Sequence, residues 1–214
     1  MSDRPETAAA TRSPWLSVWL RPRVTIRHLA DTDPRRHVLL LGAMGGIANS
    51  LSQAMQTNAG DRTSLTAVVS SSVIGGTLIG IASLFVLALL LRWTGRWLGG
   101  QAPALQLRTA MAWALVPTAV ALALWAPRLA IFGHELFSVY TPRLASDPAL
   151  GVQLLAFAVA DLVLGAWTLV IAVAGVAAVQ GFTVLRALAS CALALLLLVA
   201  AVFVIVIAAT LMVA

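Results

Sequence analysis

The sequence predicts an all-α, polytopic membrane protein: five transmembrane helices preceded by short amphipathic interfacial helices. Three observations predict it. The 214 residues are 60% hydrophobic and 10% charged, whereas a soluble domain carries roughly 25% charged residues. No soluble fold of this length could cover so much apolar surface. Five apolar runs are each long enough to cross a hydrocarbon core of ~30 Å, which takes about 20 helical residues. Ahead of the first run, residues 13–36 hold two tryptophans and five of the fourteen basic residues.

Residues 1–12 are polar and alanine-rich and are expected to form a disordered tail. Residues 13–36 read as cytoplasmic interfacial helices. Ser13 is a good N-cap and Pro14 a good first helical residue. Trp15, Leu16, Val18 and Trp19 fall on one side of a helix, with Ser17 and Arg21 opposite. Tryptophans one turn apart suit the headgroup zone, where an apolar ring and a polar N–H are both satisfied. Pro22 ends this helix and starts the next. There Ile26, Leu29 and Ala30 make an apolar arc, while Arg23 and Arg27 stack at i, i+4. The anchors of the segment are therefore Trp15, Trp19, Arg21, Arg23 and Arg27. Such helices bind by buried apolar area plus attraction to anionic headgroups. Asp33 is expected to cap a third helix, with Pro34 at its first position, that enters the membrane.

The five-span region is residues 37–214, with spans at about 37–55, 67–91, 107–126, 152–178 and 189–212. In the first span Gly42 and Gly46 permit close helix contact. Asn49 and Gln53 continue that stripe, and with Ser50 and Ser52 they make the second half of the span polar. That half is expected to face other helices. The second span carries a further small pair, Gly76 and Gly80, and ends in a basic and aromatic belt, Arg92, Trp93, Arg96 and Trp97. Pro117 lies mid-span in the third helix and should kink it, freeing the carbonyl of Trp113 for Thr118 or a neighbour. Pro127-Arg128 is expected to end that span. The loop from Leu129 to Asp147 contains Phe132, Leu136, Phe137 and Tyr140 and should lie along the surface. The fourth span is interrupted only by Asp161, the fifth is free of charge, and no cleavable signal peptide is expected.

Opening segment and last turn together carry a resemblance. Pro14-Trp15-Leu16-Ser17-Val18-Trp19, Arg21-Pro22-Arg23-Val24-Thr25-Ile26-Arg27 and Asp33-Pro34 resemble the start of bacterial membrane proteins of the Yip (Ypt-interacting protein) family. Gln180-Gly181-Phe182-Thr183, with Arg186-Ala187-Leu188, resembles that family's last cytoplasmic turn. The Asp-Leu-Tyr-Gly-Pro motif of the eukaryotic branch is absent. The resemblance implies a five-span protein acting as an adaptor, organiser or membrane-shaping factor.

Arginine counts give the orientation without the resemblance. With the N-terminus inside, eleven arginines fall on the inner side and three on the outer, a strong positive-inside bias. The expected location is a cell (inner) membrane, with the N-terminus cytoplasmic and the C-terminus external. The net charge of +6 does not point to nucleic acid, because the arginines flank apolar spans and form no single patch. Expected partners are the lipid bilayer through its anionic headgroups, a second copy of the chain, or other membrane proteins.

No catalytic set, cofactor or metal is expected. His134-Glu135 lacks the second histidine of a zincin, since Ser138 holds that place. Cys191 is the lone cysteine and allows no internal disulfide or thiolate metal site. Asp161 stands alone among the spans, so no aspartyl pair is available. It is expected to face the bundle, with Asn49, Ser50 and Gln53 as partners and Arg128 reaching it only from the outer interface. Two readings of this intramembrane polar cluster stay open. One is a hydrogen-bonded clamp. The other is a proton- or cation-handling site in a small oligomeric transporter or channel using Asp161 and the polar half of the first span.

Overall fold

The computed structural model describes residues 13–213; the expected disordered tail, residues 1–12, lies outside the described residues. Two short helices come first, α1 (Pro14–Leu20) and α2 (Pro22–Thr32). Then come α3 (Val38–Gln56), α4 (Leu65–Trp97), α5 (Ala104–Ala114), α6 (Val116–Phe132) and α7 (Pro142–Ser146). The long helices α8 (Pro148–Gln180) and α9 (Val184–Val213) complete the described chain, which contains no strand. Five helical segments are long and apolar enough to cross a membrane, the third being α5 and α6 with the turn after them. Helix is what lipid demands, because each backbone N–H and C=O must find a partner within its own segment.

Several helices run beyond the apolar runs that mark the spans. Helices α4 and α8 each have 33 residues, about 50 Å at 1.5 Å per residue, well beyond the core thickness. Arg92 to Trp97 stays helical although it is no longer apolar. Pro127 does not end its helix: α6 continues through it to Phe132. Asp33-Pro34 does not open the first span either. Residues 34–37 form a turn, His37 takes a left-handed conformation at φ 54°, and α3 starts at Val38. Between α5 and α6 the helix is interrupted at Leu115, two residues before Pro117.

Contacts among the described residues group into two compact units, 13–36 with 86–113 and 171–213, and 37–85 with 114–170. In the first, α1 and α2 pack on α5 and the last turns of α8. Val18 and Ile26 are fully buried there, with Leu29 and Ala30. Beyond Ala194, α9 carries no buried residue as far as Met212, and Leu196, Phe203 and Ile205 are among its exposed apolar side chains.

In the second unit α3 lies against α4 with backbone touching backbone. A Cβ on Gly46 would fall on the Gly76 carbonyl oxygen and 2.6 Å from the Gly80 Cα. The two glycine pairs are therefore each other's partner within one chain. Gly45, on another side of α3, meets Leu115. A buried cluster of Leu51, Val68, Trp125, Phe132, Leu136 and Phe137 closes the unit. Within the Leu129–Asp147 stretch, Phe132, Leu136 and Phe137 pack inward: Phe137 is fully buried and stacks on Trp125 with centroids 6.0 Å apart. Val139 and Tyr140 at its tip are exposed, as are His134, Pro142, Arg143 and residues 145–147.

Candidate functional site

Two places concentrate polar chemistry, one in each unit. The first is built by α1 and α2. Trp15 meets Trp113 of α5 edge-on at 5.5 Å, and Trp113 Nε1 donates to the Arg36 carbonyl. Thr109 Oγ1 donates to the Pro34 carbonyl at 2.6 Å, and Gln106 Nε2 to Asp31 Oδ1 at 3.1 Å. Helix α5 thereby holds both α2 and the turn that follows it. Ile26 sits over Gly175 of α8, where a Cβ would come within 2.9 Å of Ile26 Cδ1.

Two of the arginine anchors have a role the sequence pattern does not reveal. Arg27 Nη1 donates to the Ala178 carbonyl at 2.7 Å, and Arg23 Nη2 to the Phe182 carbonyl at 3.2 Å. Ala178 belongs to the last turn of α8, whose carbonyls have no partner within the helix and carry the negative end of its dipole. Arg27 therefore caps a spanning helix and Arg23 ties down the turn that follows it, both while remaining exposed; Arg27 also pairs with Asp31 at 3.0 Å. Arg21 is exposed, and Trp15 and Trp19 are half-buried. Leu16, Leu20 and Val24 are 71%, 80% and 59% exposed. So the helix pair is fixed by its buried face and still offers a second apolar face, set among arginines.

The Gln180-Gly181-Phe182-Thr183 turn is anchored by a side chain. Gln180 Oε1 accepts from the Ala102 N–H and Nε2 donates to the Leu91 carbonyl, each at 3.3 Å. A methyl group on Gly95 or Gly100 would overlap the Gln180 amide. Nearby, Thr94 and Ser190 hydroxyls meet at 3.0 Å inside the unit.

The second place surrounds Asp161. Its charge partner is Arg128: Nη2 lies 2.8 Å from Asp161 Oδ2. This corrects the expectation that Arg128 reaches Asp161 only from an interface, for the Arg128 side chain is 3% exposed. Because α6 continues past Pro127, Arg128 points from helix into protein. Its guanidinium carbon lies 4.9 Å from the Trp125 ring centroid and 4.8 Å from that of Phe157. Both aromatic faces offset part of the desolvation of the cation. Arg128 Nη2 also reaches the Phe157 carbonyl at 3.4 Å, while its buried Nε has no partner.

Arg128 and Asp161 line a cavity of about 320 Å³ together with Asn49, Ser52, Gln56 and Thr118. Of the sequence-predicted cluster, the cavity brings together Asp161 and Asn49; Ser50 and Gln53 do not line it. Asn49 and Gln53 are exposed, so the polar half of α3 is not turned wholly inward. Thr118 pairs with Thr168 at 3.1 Å, not with the Trp113 carbonyl. Elsewhere in the unit, Asp61 accepts from the Val139 N–H and Glu135 from the N–H groups of Arg143 and Leu144. These two carboxylates fix the tip of the packed stretch, which sequence spacing alone could not show. His134 faces Ser138 at 2.9 Å, and among the described residues no group of three metal-ligating side chains gathers.

Against known proteins, the family model described as the Yip1 domain matches residues 16–207. No curated protein matches the chain, and no solved structure does.

Proposed function

The chain belongs to the Yip1-domain family and is a multi-pass membrane protein; from that premise we propose that it is a non-enzymatic adaptor or organiser that shapes one face of the bilayer through α1 and α2. One observation carries this reading. The helix pair is held on α5 through Trp15 and Asp31, and on the end of α8 and the turn after it through Ile26, Arg27 and Arg23, yet Leu16, Leu20 and Val24 stay exposed. A face of this kind inserts at the boundary between headgroups and acyl chains, and adjacent arginines favour anionic lipid. Because it is rigidly tied to the spans, it wedges one leaflet at a fixed place beside them.

Vesicles containing anionic lipid test the proposal. The reconstituted full chain is expected to lower the mean vesicle diameter as its density rises. The triple change Leu16→Ser, Leu20→Ser and Val24→Ser should abolish that effect while leaving the spans inserted. Equal diameters for wild-type and protein-free vesicles would refute the wedge.

The side on which this happens follows from charge. With α1 and α2 cytoplasmic, the membrane is a cell (inner) membrane and the C-terminus is external. Eleven arginines then lie inside, as the positive-inside bias favours. A reporter inserted after Gly100 should read as cytoplasmic and one fused after Ala214 as external. The opposite pair of readings would invert the proposed orientation, and two like readings would contradict the three spans between the two sites.

A further inference from the structure

We propose that the Arg128–Asp161 cavity is a binding site for the headgroup of a glycerophospholipid that carries a phosphate and a primary ammonium. The proposal is independent of the membrane-shaping reading, which rests on other residues in the other unit. The two members of the ion pair are unequally placed. Arg128 is 3% exposed, whereas the Asp161 side chain is 39% exposed, thirteen residues into a bilayer-crossing helix. A carboxylate open to hydrocarbon is unfavourable and draws in a polar group. Only Oδ2 of Asp161 meets Arg128, which leaves Oδ1 to accept from a ligand.

The surroundings define that ligand. Asn49 and Gln56 line the same cavity, and their amides make no side-chain hydrogen bond among the described residues. Amide N–H groups suit phosphate oxygens. Arg128 supplies positive potential behind them, and its buried Nε has no partner. The ion pair is neutral as a whole, so a zwitterion fits its field better than a free anion does. A primary ammonium can donate to Asp161; a trimethylammonium has no N–H to donate, and an anionic headgroup sets like charge against the carboxylate.

Access favours a lipid over a soluble headgroup. Gly165 lies one turn beyond Asp161 and lines the cavity, and a Cβ built there meets nothing within 4 Å. This gap in the exposed face of α8 lets acyl chains leave sideways, and Leu164, Met55 and Ala121 give the cavity apolar walls. Gly151 is equally exposed and open on the same helix but does not line the cavity.

The test is lipid retention by the full chain in detergent, read by native mass spectrometry. Phosphatidylethanolamine, phosphatidylcholine and phosphatidylglycerol are added in equal amounts. Phosphatidylethanolamine should be retained about tenfold better than either, the worth of one charge-assisted hydrogen bond. Gly165→Leu should remove the retained lipid, and Gly151→Leu should not. Asp161→Asn, which keeps the shape, should erase the preference for phosphatidylethanolamine over phosphatidylglycerol. Equal retention of the three lipids would overturn the proposal, as would wild-type retention by Gly165→Leu or an intact preference in Asp161→Asn. Displacement of the lipid by free glycerophosphoethanolamine at equal concentration would overturn the lipid as the source of the headgroup.

Discussion

Gly46→Leu is expected to destabilise the folded state by about 3 kcal/mol or more, while Gly75→Leu leaves it nearly unchanged. A side chain at Gly46 meets the Gly76 oxygen and the Gly80 Cα. Both are backbone atoms of a helix, so no rotamer change can make room. Helices α3 and α4 would have to separate, exposing or emptying their shared face. Overpacking a core usually costs about 1–3 kcal/mol, and a clash with backbone belongs at or above the upper end. Gly75 is the control because nothing lies within 4 Å of a Cβ there, although it adjoins Gly76 in sequence. Thermal unfolding in detergent and the yield of monodisperse protein read the outcome. If the two variants melt together, close α3–α4 packing is not what holds this unit.

Particular residues show how far the sequence is legible. The five spans are visible because lipid imposes both their length and their apolarity. Their ends are less visible, since helix continues wherever hydrogen bonds can continue, as at Arg92 to Trp97. Pro127 shows the same limit. Proline deletes one backbone donor, but here α6 runs on to Phe132, and that continuation carries Arg128 inward. Gly42, Gly46, Gly76 and Gly80 announce close packing by their spacing, yet spacing cannot say whether the partner is a second copy or the next helix. The inner face of α2 is legible in Ile26, Leu29 and Ala30. The capping of α8 by Arg27 and the hold of Arg23 on the turn after it are not, because they join residues 151 and 159 positions apart that share no periodicity. Asp161 stands out by its rarity in a span. Its partner does not, because an arginine beside a proline reads equally well as a loop residue.

Asp161→Leu should destabilise the protein far more than a double change that also removes Arg128. Arginine keeps its charge at any physiological pH, and Arg128 is 3% exposed with its charge partner 2.8 Å away. Removing Asp161 leaves a buried cation with only two aromatic rings and the Phe157 carbonyl for company. Breaking a buried pair on one side typically costs about 3–5 kcal/mol. Both rings contact the guanidinium with or without Asp161, so they do not offset this difference, and a loss of ~3–5 kcal/mol is expected. Arg128→Met with Asp161→Leu removes both charges and keeps apolar volume between Trp125 and Phe157, so most of the stability should return. Unfolding in detergent of wild type, both single variants and the double variant gives the coupling directly. A loss below about 1 kcal/mol for Asp161→Leu would place the pair with solvent-exposed salt bridges. A double variant as unstable as Asp161→Leu would show that Arg128 holds α6 and α8 together by its contacts rather than by its charge.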